Sequence, residues 1–465
     1  MAGVLRRRVP GRLVLLIGCE SAMIVEAVIF AAWLRLGDEA WDLVATEHGL
    51  WKAALVAAVC QVCLYYADLY DLRVAADRRE LFVRTLQSLG AASLILAALY
   101  YLFPDLILGR GVFLIAAVVV ILIIIAWRLV FLWLARHARP TERLLLVGTG
   151  EASAALAREL HERRGELGVE IVGFVDADPA RAGEPLVGPG IIGAIDEIPR
   201  IVDERGVDRV VVSLADARGK LPMDRLLDMK LAGVQFDHLA TVYEEYTGKI
   251  AVENLRPSWL IFSEGFRKSR VVSVLKRAGD IAIAAVGLVL AAPIWLVCAA
   301  LIRLTSPGPV LYHQVRVGQH GRTFRVHKFR SMRQDAEAET GAVWAKAGDD
   351  PRVTRVGKIL RRARLDELPQ LWNVLVGDMS LVGPRPERPE FVKDLTVQIP
   401  FYGQRHVVKP GLTGWAQVRY TYGASVEDAM EKLQYDLFYI KNLSMALDLY
   451  IILETVKTVL LRGGS

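Results

Sequence analysis

The chain is short of charge and of cysteine. Of its 465 residues 23% are charged, whereas 53% are hydrophobic, and the mean hydropathy is +0.33. That balance argues against a disordered chain and against an ordinary soluble enzyme. The four cysteines, Cys19, Cys60, Cys63 and Cys298, all lie inside apolar runs. Cys60-x-x-Cys63 would hint at redox or zinc chemistry in a soluble domain. Inside an apolar run, with no second pair, it reads as two lipid-buried thiols. The eight histidines form no metal-ligand spacing. A disulfide scaffold and a zinc protein are both disfavoured. No tyrosine has a lysine four residues on, and the glycine loop at Gly148 lacks a third glycine, because Ser153 stands there. Both absences argue against a nucleotide-sugar dehydratase or epimerase.

Positive charge is in modest surplus. Lys and Arg number 57 against 51 Asp and Glu, a net charge of +6. Such a surplus suits lipid headgroups, nucleotides or nucleic acid alike, so the location of the basic residues decides. Four segments, Leu13–Leu34, Leu50–Leu69, Thr85–Phe103 and Gly111–Leu134, are apolar over the ~20 residues that cross a bilayer. Arg6, Arg7 and Arg8 precede the first. Arg73, Arg78 and Arg79 follow the second, and Arg136 and Arg139 follow the fourth. The loops between carry Asp38, Glu39, Asp42 and Glu47, or the short Pro104–Arg110 turn. The positive-inside bias then puts both ends of this bundle in the cytoplasm. Glu20 and Glu26 inside the first span are costly. Glu20 and Arg128 lie at similar depths, so an ion pair is one expectation, and glutamates that merely face protein are the other.

The sequence divides into four parts. Residues 1–140 form four transmembrane helices. Residues 141–262 alternate strand and helix, which predicts a Rossmann-like α/β domain with a mostly parallel sheet. Its Gly148-Thr-Gly150-Glu-Ala-Ser153 loop either holds a phosphate at a helix N-terminus or is a structural strand-to-helix turn. Residues 263–305 form a linker and a fifth apolar segment, Ile281–Ile302, with Pro293 in its middle. Basic clusters flank that segment on both sides, Lys268, Arg270, Lys276 and Arg277 before it, Arg303, Arg316 and Arg322 after it. A crossing helix would place one cluster outside. A helix that enters, kinks at Pro293 and returns leaves both in the cytoplasm. Residues 306–465 are expected to form a mainly helical cytoplasmic domain resting on the membrane, ending in the apolar-striped helix Leu447–Leu461.

The chemistry lies in the last third. Gly357-Lys-Ile-Leu-Arg361-Arg362-Ala-Arg364-Leu-Asp366-Glu367-Leu-Pro369 sets arginines before two adjacent carboxylates. Such arginines can neutralise a polyanion while one carboxylate attacks phosphorus and the other holds a metal. The alternative is that Asp366 caps a helix that ends at Gly377. Gly377-Asp378-Met-Ser-Leu-Val-Gly383-Pro384-Arg385-Pro386 follows, where two prolines fix the backbone around an arginine suited to a phosphate fork. His327-Lys328-Phe329-Arg330-Ser-Met332 and Pro410-Gly-Leu-Thr-Gly414-Trp415-Ala-Gln417 add further basic and aromatic groups. Singly, each fits a turn or a solvated face.

Together with Ser306-Pro-Gly-Pro309, Lys276-Arg277 before the apolar segment and Tyr435-Asp-Leu-Phe-Tyr-Ile440, these segments resemble the bacterial sugar transferases, the monotopic phosphoglycosyl transferases. The bundle and Rossmann-like domain ahead of them resemble the larger polyprenyl-phosphate hexose-1-phosphate transferase branch. Glu253–Phe266 and Glu427–Leu461 are similar to its exopolysaccharide and exosortase-associated subgroup. The resemblance implies transfer of a hexose-1-phosphate from a UDP-sugar, with glucose or galactose as first candidates, to undecaprenyl phosphate with release of UMP. It implies Asp366 as nucleophile and Glu367, with Asp366, as holder of Mg²⁺. Lys328, Arg330, Arg361 and Arg385, with Pro384 and Pro386 around the last, become substrate-binding. The family's Ser-Pro helix break is Ala292-Pro293 here. An inner-membrane protein with its catalytic domain on the cytoplasmic face follows, and a homodimer is a further expectation. A non-catalytic membrane scaffold or nucleotide sensor is the rival reading. Nucleic acid has only the net charge in its favour.

Overall fold

The computed structural model describes residues 11–46, 48–67, 69–70, 78–107, 111–137, 142–162, 168–213, 223–252, 265–266, 269–334, 336, 350–420, 423 and 425–461. Of the residues used above, Arg6, Arg7, Arg8, Glu47, Arg73, Arg110, Arg139, 253–264 and Lys268 lie outside them. The chain divides into two compact units, Met1–Tyr246 and Thr247–Ser465. The hand-over falls earlier than the expected 262, because Ile250 and Val252 are buried in the core of the second unit.

The first unit opens with helices α1 (Gly11–Leu36), α2 (Glu39–Thr46), α3 (Gly49–Tyr66), α4 (Arg78–Leu102) and α5 (Val112–His137). All but α2 are long and apolar enough to cross a membrane. Small residues such as Ala27, Ala31, Ala53 and Ala57 fill the bundle core, which lets the helix backbones approach closely. Among the described residues, the charged pair buried inside is Glu20 with Arg128. Arg128 Nε lies 2.7 Å from Glu20 Oε1, Arg128 Nη2 donates to Oε2 at 3.1 Å, and the Tyr70 hydroxyl donates to Oε2 at 2.6 Å. The ion pair is therefore formed. In lipid each charge alone would cost several kcal/mol, and pairing offsets that cost.

The α/β part follows as β1 (Glu142–Val147), α6 (Glu151–Glu162), β2 (Val169–Asp176), β3 (Ile191–Ala194), α7 (Ile198–Arg205), β4 (Arg209–Val212), α8 (Met223–Leu231), β5 (Gln235–His238) and α9 (Leu239–Thr247). The strands are parallel in the order β3-β2-β1-β4-β5, as a Rossmann-like domain requires. Leu144, Leu145, Leu146 and Val147 are all buried, covered from both faces. That is why this strand reads as a continuous apolar run.

In the second unit α10 (Arg270–Thr305) is one helix of 36 residues that continues through Pro293. An antiparallel hairpin, β6 (Leu311–Val317) with β7 (Thr323–Phe329), comes next. It leads to α11 (Arg355–Arg362), α12 (Gln370–Val376), β8 (Ser380–Val382), α13 (Pro389–Gln398), β9 (Gly411–Thr413), α14 (Trp415–Arg419), α15 (Val426–Lys441) and α16 (Met445–Leu461). Trp415, Phe438 and Tyr439 centre the core.

Both halves of α10 are tied to this core. Near its start, Lys276 Nζ meets Asp448 at 2.6 Å and donates to Val382 O at 3.0 Å. Arg277 donates to Val374 O and Leu375 O, and Asp280 accepts from the Leu381 amide at 3.0 Å. Near its end, Trp295 packs edge-on against Phe329, 5.1 Å between ring centres, and Cys298 and Ile302 pack with Phe329 and Leu360. The opposite side, including Val289, Leu290 and Leu296, is an exposed apolar stripe that the described residues do not cover.

Candidate active site

The two carboxylates sit at the junction of two helices. Thr354 starts α11, its hydroxyl accepting from the Gly357 amide at 2.9 Å. The helix stops after Arg362, and Arg364 takes the left-handed region at φ 56°. That is an unfavourable conformation for any residue with a Cβ, and such strain gathers at working sites. It turns the chain into a single 3-10 turn, Leu365–Glu367, which buries Asp366 and Glu367. The N-terminal cap positions of this turn and of α12 are held by Arg364 and Pro369, so Asp366 is not the helix cap of the alternative reading. Gly377, at φ 107°, does end α12 as expected.

Charge then converges on Glu367 from two other elements. Lys328 of β7 reaches its Oε1 at 2.9 Å and Arg385 reaches the same oxygen at 2.7 Å. Burial works to raise the Glu367 carboxyl, but Arg385 and Lys328 hold it well below the ordinary carboxylate value. Asp366 goes the other way. Burial and the adjacent Glu367 push its carboxyl up, against Lys328, Arg361 and Arg385, which pull it down. Two neighbouring carboxylates are thus shifted in opposite directions by their environments. Glu367 is locked as an anion between cations, while Asp366 makes no ion pair among the described residues and stands in their field.

Of the cations expected at substrate phosphates, Lys328, Arg361 and Arg385 act on this pair. Arg330 does not join them. Its guanidinium donates to Pro307 O at 2.6 Å, Ser306 O at 2.8 Å and Ser306 Oγ at 2.7 Å. It is buried, so desolvation favours these local acceptors, and it ties the end of α10 to the hairpin. Pro384 and Pro386 are buried on either side of Arg385. Gly383 is needed because a Cβ there would strike Lys409 O, 2.4 Å away. That close approach pairs β8 with β9 in parallel. Asn373 was not anticipated from the sequence. Fully buried on α12, it accepts from the His327 amide at 3.1 Å and donates to Arg325 O at 2.8 Å, fixing the strand that carries Lys328. Its position after Asp366-Glu367 in one short motif was the available signal.

In the α/β unit, Gly148 turns at φ 99° before α6. Asp176, at the end of β2, is where sheets of this order commonly offer a carboxylate to a ribose. Here the Thr149 hydroxyl donates to it and Arg181 lies 2.9 Å from it. The turn is therefore closed on protein groups, which favours the structural reading of this loop.

Residues 271–462 match the bacterial sugar transferase family, and residues 66–221 match a family described as a CoA-binding domain. The chain is 43% identical over 259 residues to a UDP-N-acetylgalactosamine-undecaprenyl-phosphate N-acetylgalactosaminephosphotransferase of Aeromonas hydrophila, covering 56% of this chain and 60% of the relative. The chain thus spans less than two thirds of that relative's length. It is 34% identical to a UDP-glucose:undecaprenyl-phosphate glucose-1-phosphate transferase of Escherichia coli, over 70% of this chain and 69% of the relative. It is 44% identical to the exopolysaccharide production protein PSS of Rhizobium leguminosarum, over 41% of this chain and 97% of the relative. Residues 271–462, which carry Lys328, Asp366, Glu367 and Arg385, match the family model, and the Rhizobium relative is covered over 97% of its length, so the chain is a membrane protein that belongs to the bacterial sugar transferase family.

Proposed function

We propose that the protein transfers a hexose-1-phosphate from a UDP-sugar to undecaprenyl phosphate and releases UMP. The observation that carries this is the buried Asp366 beside a Glu367 locked by Lys328 and Arg385. In the first step an Asp366 oxygen attacks the sugar-bearing phosphorus. The bond to the bridging oxygen of the diphosphate breaks, and UMP leaves with that electron pair. In the second step a phosphate oxygen of undecaprenyl phosphate attacks the same phosphorus. Asp366 is regenerated as a carboxylate, and the sugar is linked to the lipid through a diphosphate. A covalent intermediate lets two dissimilar substrates use one pocket in turn.

Arg385 and Arg361 stand ready for the diphosphate oxygens, since a guanidinium fork matches phosphate geometry. The dyad suits Mg²⁺, a cation that binds through one or two carboxylates plus substrate phosphates, and no third His, Cys, Asp or Glu joins it among the described residues. Asp366 and Glu367 would hold that ion, whose charge helps neutralise the diphosphate.

The acceptor lies in the membrane and the donor in water, so the unit must rest on the bilayer. Both halves of α10 are bound to the same unit, which supports a helix that enters the membrane and returns rather than crossing it. A straight helix of 36 residues would be about 54 Å long, well over the ~30 Å hydrocarbon core. Pro293 is the residue at which it can bend, because its ring removes one helical hydrogen bond. In this reading the four helices of the bundle span the bacterial inner membrane, with the catalytic unit on the cytoplasmic face.

The test is UMP release from UDP-glucose, UDP-galactose and UDP-N-acetylgalactosamine, with Mg²⁺ and undecaprenyl phosphate, for wild type and Asp366→Asn. UMP from one donor, sustained only with the lipid and lost in the variant, is the expected result. Folded protein that releases none points to a scaffold. Equal release by the variant would keep the reaction and discard Asp366 as nucleophile.

A further inference from the structure

The loop that presents Arg385 is held in a particular way. Pro384 and Pro386 have no amide hydrogen, so within this tripeptide only Arg385 can donate a main-chain bond. Beside the Gly383 amide, which donates to Thr413 O at 2.9 Å, the loop is held by its carbonyls. Val382 O accepts from Lys276 at 3.0 Å and from the Tyr439 hydroxyl at 3.1 Å. Pro384 O accepts from the Gly411 amide at 2.9 Å. Pro386 O accepts from Arg316 at 3.1 Å. The carbonyl of Arg385 itself accepts from Arg405 Nη2 at 3.0 Å.

Arg405 lies in the turn Tyr402–Val407 and is buried. Its Nε and Nη2 donate to Asp436 Oδ2 at 3.1 Å and 2.8 Å, and its Nη1 donates to the Tyr402 hydroxyl at 2.7 Å. Asp436 and Tyr402 are buried as well. Replacing a buried ion pair by apolar residues of similar size is often neutral or stabilising, so stability alone does not account for this one. What an apolar pair could not do is donate to the Arg385 carbonyl.

We propose that Arg405, fixed in place by Asp436 and Tyr402, is a positioning residue that sets the main chain of Arg385 and thereby where its guanidinium meets Glu367 and a phosphate. This rests on the phosphotransferase reading above. Arg405 acts through Arg385, so its loss should matter only while Arg385 is present. That dependence separates positioning from a merely structural role.

The experiment uses the full chain in detergent, with the donor that supports UMP release by wild type, and undecaprenyl phosphate and Mg²⁺ at saturation. Arg405→Met with Asp436→Leu removes the pair without leaving a buried charge, and thermal unfolding checks that the variant folds. The expected result is a fall in kcat/KM of about tenfold to 100-fold, the loss typical of a misplaced binding group. The same replacement in an Arg385→Gln background should cost less than about threefold. Tyr402→Phe keeps the ion pair and should show the same pattern at smaller amplitude, so the proposal stays testable if the paired variant unfolds. Wild-type kcat/KM in a folded paired variant, or losses that multiply in the Arg385→Gln background, would overturn it. A wild type that releases no UMP would overturn the phosphotransferase reading first, before any variant is compared.

Discussion

Replacing Glu367 by Gln disturbs the centre of the charge arrangement with almost no change of shape. Lys328 and Arg385 both sit on one oxygen of Glu367, at 2.9 Å and 2.7 Å. The two cations are therefore no farther apart than those two legs laid end to end, about 5.6 Å. At an effective dielectric of about 20, unit charges at that separation repel by about 3 kcal/mol. An amide oxygen can accept from one of them but cannot offset either charge. Removing one partner of a buried ion pair costs about 3–5 kcal/mol, so the two figures agree. At about 1.4 kcal/mol per tenfold, kcat/KM should fall by about 100-fold as Arg385 or Lys328 swings away. The assay is UMP release at saturating Mg²⁺, with thermal unfolding in parallel. The informative variant is Lys328→Met combined with Glu367→Gln. It removes the repulsion, so it should be more stable and more active than Glu367→Gln alone. A double variant no better than the single one on both measures would refute the charge-balance account.

Three further outcomes follow from the geometry. Activity needs the ionised Asp366, whose carboxyl is raised by burial and by Glu367 and lowered by Lys328; the acid limb of the rate profile should lie above the ordinary carboxylate range, and Lys328→Met should move it higher still, measured by UMP release against pH. Arg128→Met leaves the buried Glu20 charge, among the described residues, with the Tyr70 hydroxyl; thermal unfolding in detergent should show a loss of about 3–5 kcal/mol, partly restored when Glu20→Arg and Arg128→Glu are exchanged together, and no restoration would count against the pair as a stabilising contact. A Cβ at Gly357 would run into the Ser331 carbonyl, which also accepts from the Thr354 amide at 3.0 Å; Gly357→Ala should therefore lower the melting temperature, whereas Gly403→Ala, with open space around it, should not.

Much of this molecule is written locally. Runs of apolar residues about 20 long become helices because the backbone must satisfy its own hydrogen bonds in lipid. The β1 run Leu144–Val147 becomes a buried parallel strand because both its faces are covered. Asp366 and Glu367 were visible as a pair because adjacent carboxylates after several arginines are a costly arrangement to hold by chance. Their neighbours in sequence could not say which cations would face them. Lys328 lies 39 residues before Glu367 and Arg385 lies 18 after it. Glu20 and Arg128 are 108 apart, and equal depth in the bundle was the only hint of their meeting. Arg330 shows the same limit from the other side. By sequence it is as good a phosphate ligand as Lys328, two residues earlier, yet burial turns it onto the Ser306 and Pro307 carbonyls. Arg405 carried no local signal at all; its partners Asp436 and the Arg385 carbonyl reach it through folding alone. Periodicity and turn chemistry act between near neighbours, so the sequence by itself determined the elements, their order and the motif of the paired carboxylates. Which charge meets which is decided by desolvation. A buried ion must find a partner wherever packing brings one, and only the tertiary structure brings it.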